Sequence, residues 1–205
     1  MSQTTTIPEL TDRLRALAAA PTRSIVALAG PPGAGKSHVT EALMTALPDA
    51  ALLPMDGFHL DDGLLRARGD LARKGAPWTF DLGGFAAMLD RLAADDGRDV
   101  LVPVFDRRLE ISRGAAREVP ASARLILAEG NYLLLDRPGW RDLARHFALT
   151  VMLEVPRPVL RARLTARWRG LPPDQAQAKL EANDLPNMEL VLQASRAPDL
   201  ILPNG

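Results

Sequence analysis

Gly30, Pro31, Pro32, Gly33, Ala34, Gly35, Lys36 and Ser37 spell out G-x-x-x-x-G-K-[ST] in full. Glycines at these places let the backbone wrap until successive N–H groups converge on an anion. The wrap works only where a strand hands over to a helix, whose positive N-terminal end completes the cradle. Both flanks are present. Ser24–Ala29 is an unbroken apolar run, and Lys36–Leu47, which includes His38, has a helical pattern. The string therefore predicts a phosphate-binding loop, with Lys36 reaching the outer phosphates and Ser37 holding Mg²⁺.

The rest of the chain repeats the same alternation. Candidate strands are Ser24–Ala29, Ala50–Met55, Val100–Val104, Arg124–Ala128, Ala148–Val155 and Asp199–Leu202. Most are continuous apolar runs, as strands covered on both faces should be. Helical patterns lie at Pro8–Ala19, Lys36–Leu47, Leu82–Ala94, Trp140–Arg145, Pro158–Arg169, Asp174–Ala182 and Asn187–Ser195. Thr6 is placed to cap the first of them. The alternation predicts an α/β fold with a parallel sheet wrapped by helices. Residues 57–84 break the rhythm and read as an irregular flap. Residues 157–184 are Arg-rich, broken at Leu171-Pro-Pro, and read as a helix–turn–helix lid. With 205 residues and no linker, 1–205 is expected to be a single domain.

Composition removes several classes of function. There is no cysteine, so disulfide scaffolds, thiolate metal sites and cysteine catalysis are out. Three histidines give little support to a histidine-rich metal site. Lys+Arg and Asp+Glu are both 25, so nothing in the bulk charge attracts nucleic acid or an anionic membrane. No run reaches the ~18 apolar residues of a membrane span, and the N-terminus lacks a signal-peptide pattern. The expectation is a cytoplasmic protein with no nucleic-acid or membrane partner; a homodimer is left open. Of the 25 basic residues only Lys36, Lys74 and Lys179 are lysines. Codon drift accounts for that bias by itself, though a lysine offers a compact point charge where arginine offers a planar fork.

A phosphate loop needs a second ligand for its metal and something to receive the phosphoryl group. Glu129 ends an apolar strand, where a metal-side carboxylate sits. Asn131 and Tyr132 follow it toward the ligand crevice. Asp56 comes straight after the second strand, on the same sheet edge, and is the candidate base for an acceptor hydroxyl. Gly57 allows a sharp turn after it. His59, Trp78, Phe80, Asp106 and Arg107 are candidate acceptor contacts. The aromatic pair could stack on a sugar or a base, or simply pack beneath the flap. Asp61 and Asp62 read as cap or surface residues rather than metal ligands. Arg163 and Arg167 lie one helical turn apart, a repulsive spacing that a polyphosphate would relieve. Such lid arginines stabilise charge on a transferring phosphoryl group. Asn183, Asp184 and Asn187 read as adenine or lid-closing contacts.

The order of these motifs resembles the uridine kinase, phosphoribulokinase and pantothenate kinase group of P-loop kinases. Met55–His59, Lys74–Asp81, Glu129–Asp136 and Asn183–Asn187 are most similar to a bacterial fructose-transport-system, or fructokinase-like, subgroup. The likeness spans about residues 22–202. It implies a P-loop three-layer sandwich with a five-stranded parallel core sheet and a mobile helical lid. It implies ATP and Mg²⁺ as cofactors and a small-molecule alcohol as acceptor. It implies Asp56 as acceptor base and phosphate contacts for Arg163, Arg167 and Arg169. A sugar such as fructose is the expected acceptor; a uridine-like nucleoside or a pantothenate-type alcohol is the alternative. Where uridine kinases carry a Tyr-Asp pair and then a His, this chain has Phe105 and, further on, Glu110. A regulatory P-loop NTPase is the reading from another class. Asp81-Leu-Gly-Gly84 does read as D-x-x-G, but no Asn-Lys-x-Asp follows to select guanine.

Overall fold

A computed structural model describes residues 2–205. In chain order its elements are β1 (Gln3–Thr4), α1 (Ile7–Ala18), β2 (Ser24–Ala29), α2 (Lys36–Ala46), β3 (Ala51–Pro54), α3 (Asp62–Arg68), α4 (Leu82–Ala93), β4 (Val100–Asp106), β5 (Ile111–Val119), β6 (Leu125–Gly130), β7 (Phe147–Glu154), α5 (Arg157–Arg167), α6 (Pro173–Lys179), α7 (Leu185–Ala194) and β8 (Leu200–Pro203). The main sheet is parallel throughout, in the order β1-β8-β7-β2-β6-β3. The five expected core strands gain a sixth, the two-residue β1 at the edge. No helix among the described residues is long and apolar enough to cross a membrane.

The continuous apolar strands are explained by what they divide. Along β2, Ile25, Ala27 and Ala29 belong to one core cluster, while Val26 and Leu28 belong to another. Along β6, Ile126 and Ala128 join the first, Leu125 and Leu127 the second. A strand whose residues alternate between two cores must be apolar at every position. The helix starts are equally legible. Thr6 caps α1, and its hydroxyl accepts from the Glu9 N–H while the Glu9 carboxylate accepts from the Thr6 N–H.

Val100–Val104 is the strand that departs from expectation. It does not enter the parallel sheet. As part of β4 it pairs antiparallel with β5, forming a separate two-stranded hairpin. Leu101 on its outer face is 49% exposed. Pro103 sits where the ladder register breaks, between Val102 and Val104, since it has no N–H to donate. The flap is also more ordered than irregular. Asp61 caps α3 through the Gly63 N–H at 2.7 Å, and Gly69 ends it at φ 75°. Single 3₁₀ turns at Met55–Phe58, Leu71–Arg73 and Pro77–Thr79 complete it. In the lid, a widened π turn over Leu180–Asp184 joins α6 to α7. Pro186, just beyond it, has no N–H for the carbonyl four residues back, which favours such a widening.

Gly57 is fixed by close approach rather than by its dihedral. A Cβ there would lie 2.3 Å from the Pro103 carbonyl oxygen of β4. The hairpin thus clamps the turn that follows β3, and Ser112 of β5 donates to the Gly57 carbonyl. Gly57→Ala is expected to destabilise the fold by roughly 1–3 kcal/mol. Urea unfolding reads this as a lower midpoint at unchanged slope. Gly114→Ala, where a Cβ meets nothing within 4 Å, should leave the midpoint where it is.

Candidate functional site

The phosphate loop forms as its sequence requires. Gly33 and Gly35 take φ of +82° and +80°, and α2 starts directly at Lys36. The Lys36 side chain folds back over the loop. Its ammonium donates to the Gly30 and Pro31 carbonyls at 3.0 and 3.3 Å, and to Asn131 Oδ1 at 2.5 Å. Two side chains support the loop from outside, one of them, Asn204, with no sequence signal. Asn204, just past β8, donates to the Ala34 carbonyl at 2.7 Å. Arg163 reaches the Gly33 carbonyl at 3.4 Å and that of Asn204 at 3.1 Å.

Strand register delivers the two acids. Glu129 lies beside Leu28 of β2 on one side and Pro54 of β3 on the other. Two residues beyond Pro54, Asp56 lies in the 3₁₀ turn Met55–Phe58 at the same strand ends. Both acids line one cleft of about 1190 Å³ with Lys36, Ser37 and His38. Burial lowers the pKa of Lys36, while Glu129 and Asp56 pull it back up. Burial likewise raises that of Glu129; Lys36 opposes the shift and Asp56 adds to it. Arg107 donates to Asp56 Oδ2 at 2.7 Å. Among the described residues no three His, Asp or Glu side chains form a metal cage. Ser37 and Glu129 nevertheless suit a divalent ion that keeps water and phosphate oxygens among its ligands.

Flap and hairpin build the opposite wall. The His59 ring lies between Phe80 and Phe105, with centroids 4.2 and 4.5 Å away. Its Nδ1 is 2.7 Å from the Asp56 carbonyl, which can only accept, so Nδ1 carries a hydrogen. In the neutral ring Nε2 is then left as an acceptor. Lys74 enters the cleft from the flap. Its ammonium donates to Asp62 Oδ1 at 2.5 Å and to the Glu110 carbonyl at 2.6 Å, and lies over the Phe105 ring at 5.1 Å. The lid meets the flap here. Asn183 Nδ2 donates to the Lys74 carbonyl at 2.7 Å, and Asn187 braces Asn183 at 3.0 Å. The third lysine, Lys179, also lines the cleft and lies 4.8 Å from the Trp168 ring. Arg167 lines it as well, whereas Arg169 does not.

Several sequence-predicted residues sit elsewhere. Tyr132 is fully buried in the core; its hydroxyl donates to the Gly75 carbonyl at 2.6 Å, and burial pushes its pKa far up. It is an anchor for the flap and does not line the cleft. Trp78 is 50% exposed on the outside of the flap and donates to Asp70. Asp106 accepts the Arg108 and Leu109 N–H groups at the hairpin turn and pairs with Arg113. Asp184, by contrast, does line the cleft, together with Asn183 and Asn187; it is buried there and accepts from Trp168 Nε1 at 2.6 Å. Asp62 lines it too, with its carboxylate paired to Lys74. Phe80, His59, Arg107 and Asn131 do line the cleft.

Known proteins share this arrangement. No protein-family model matches the chain. The chain is 37% identical over 188 residues to the protein YggC of Escherichia coli (strain K12), covering 88% of this chain and 77% of that one. It is 32% identical over 197 residues to "Putative uridine kinase C227.14" of Schizosaccharomyces pombe (strain 972 / ATCC 24843), covering 88% and 83%. A crystal structure from Silicibacter sp. TM1040, described as a "putative fructose transport system kinase", superposes with a TM-score of 0.88 at 42% identity, covering 96% and 98%.

The His59 ring, stacked and buried, has a pKa below the ordinary value of about 6.5, and desolvation is the main cause. Folding favours its neutral form. Its stabilising contribution is therefore present above the unfolded-state value and is lost as pH falls toward the folded-state one. An NMR titration of the imidazole should place the midpoint below the ordinary value. A midpoint at or above it would contradict the buried, stacked ring.

Proposed function

The chain belongs to the P-loop kinases of the uridine kinase and phosphoribulokinase group, and from that premise we propose that it transfers the γ-phosphoryl group of ATP to the hydroxyl of a small-molecule alcohol. The carrying observation is convergence: the loop lysine, the strand-end Glu129 and the post-strand Asp56 all face one cleft. The assigned roles follow from position. The loop N–H groups and the start of α2 hold the phosphates. Lys36 stabilises charge on the outer phosphates. Ser37 and Glu129 would hold Mg²⁺, which supplies charge neutralisation on the phosphoryl oxygens. Arg163 and Arg167 approach the same phosphates from the lid.

Asp56 receives the acceptor. The acceptor oxygen forms a bond to the γ-phosphorus as the bond to the β-phosphate oxygen breaks, and the hydroxyl proton passes to the Asp56 carboxylate. His59 Nε2, Phe80 and Arg107 position the alcohol. Water is the competing acceptor, and the Asn183–Lys74 contact supports lid closure against it. In this reading residues 57–84 are the acceptor flap and 157–184 the lid of a single domain. The cytoplasm, where ATP is supplied, is the proposed site of this activity. A ketose such as fructose is the first compound to try, given the name carried by the 42% identical relative.

The test is ADP release from Mg·ATP in the presence of fructose, other ketoses, pentoses, uridine, cytidine and pantothenate. One compound should stimulate turnover, and Lys36→Ala should abolish it. Asp56→Asn is expected to lower kcat by roughly 10²–10⁴-fold while ATP still binds. Wild-type turnover in Asp56→Asn would remove the base assignment. Turnover stimulated only by a protein partner would replace the metabolite kinase with a regulatory NTPase.

A further inference from the structure

The nucleotide cleft is not the only cavity against the two acids. A second, of about 610 Å³, opens between α2, β3 and the β4–β5 hairpin. Ser37, Asp56, Phe105, Arg107 and Glu129 line both. Its volume is that of an ordinary small-molecule site. Much of the remaining wall is apolar, with Met44, Leu52, Pro54 and Val104.

Two polar residues of this wall lack the partners that buried polar groups need. Thr40 is 3% exposed, and its hydroxyl makes no hydrogen bond among the described residues. Arg117, half-buried on β5, has its Nη1 out of solvent and without a partner. Two other hairpin arginines are matched, Arg107 with Asp56 and Arg113 with Asp106, while Arg108 is exposed at the turn. Arg117 appears in no ion pair among the described residues. A guanidinium does not release its proton in a protein. Its Nη1 is withdrawn from water, and a charged donor so placed calls for an acceptor within the cavity.

We infer that this cavity holds the far end of the phosphoryl acceptor, and that this end carries a single carboxylate or phosphate monoester bound by Arg117 and Thr40. The inference rests on the phosphotransferase reading, with the acceptor hydroxyl at Asp56. Register sets the length of the molecule. Arg117 stands opposite Val102, three residues before Phe105, which is about 10 Å along the strand. The acceptor is therefore an elongated alcohol, with its hydroxyl and anionic group at opposite ends of a carbon chain lying on Leu52, Pro54 and Val104. The exposed Glu41 and Glu118 also line the cavity and repel an extended polyanion, so a second nucleotide is not the occupant.

Matched pairs of compounds test this: pantothenate against pantothenol, ribose 5-phosphate against ribose, and fructose 6-phosphate against fructose. Calorimetric binding to the full chain in the presence of ADP and Mg²⁺ is measured for each, alongside turnover. At least one anionic member should bind the wild type better than its neutral partner. Arg117→Gln should weaken that binding by roughly 10- to 100-fold, while ADP binding stays as it was. Arg117→Lys should restore part of the loss, and Thr40→Val should weaken the same compound. Carboxylate and phosphate members distinguish the two forms of the anion. If no anionic member outbinds its neutral partner, or if Arg117→Gln binds all of them as well as the wild type, the inference falls. A neutral compound phosphorylated equally by wild type and Arg117→Gln would overturn it too, while leaving the kinase intact. Anion binding that depends on Arg117, with no alcohol phosphorylated, would instead remove the kinase reading and leave an anion site.

Discussion

A buried lysine ammonium organises the site. Lys36 is 9% exposed, and two loop carbonyls and Asn131 accept its three hydrogens. Burying such a charge is expensive unless it is fully matched. The match comes from separate parts of the chain: the carbonyls from the end of β2, Asn131 from the end of β6, and the nearby negative charge from Glu129 and Asp56. Each element must end at the right height for these groups to meet. The parallel register sets that height by placing Leu28, Glu129 and Pro54 side by side. The two cores on either side of the sheet hold the register by leaving no strand free to slip by one residue.

Around this centre the chain places three separate covers. The hairpin sits beyond the edge strand and clamps the Asp56 turn through Gly57. The flap is anchored from beneath by the Tyr132 hydroxyl and reaches the cleft through His59 and Lys74. The lid meets the flap through the Asn183 amide, and the phosphate loop through Arg163 and the Leu164 side chain beside Gly33. Leu160, Leu164 and Leu180 of the lid are buried in the same core cluster as Ala34 of the phosphate loop, so apolar packing holds the lid at its base while polar contacts hold its far end.

Much of this was legible in the sequence because it is local. The phosphate loop, the buried strands and the Thr6 cap are each written in a few adjacent residues. So was the coincidence of Asp56 and Glu129 at one sheet edge, which follows from parallel strands alone. The hairpin was not legible. Val100–Val104 has the composition of a buried strand, and only its partner shows otherwise. That partner, β5, exposes most of its residues and carries no alternation to read. Tyr132 was misplaced for a similar reason. It follows the strand end beside Asn131, and sequence does not say which of the two turns inward. Asn183 was legible as a lid-closing contact, but its partner, the Lys74 carbonyl, and the hold of Asn204 on Ala34 lie more than 100 residues away, for which a single sequence has no signal. The scarcity of lysine was a fainter clue, yet all three lysines line the same cleft.

The wall shared by the two cavities turns on the Asp56–Arg107 pair. The arginine side chain is 60% exposed, and an ion pair so open to water contributes only about 0–1 kcal/mol. It is therefore easily exchanged. An acceptor hydroxyl arriving at Asp56 can displace the guanidinium without a large penalty. Arg107, which lines both cavities, is then free to turn toward negative charge on either side. A buried, rigid pair would have fixed the carboxylate but locked out the substrate. The exposed pair holds Asp56 in position until something better occupies it, which is what a base awaiting a variable partner requires.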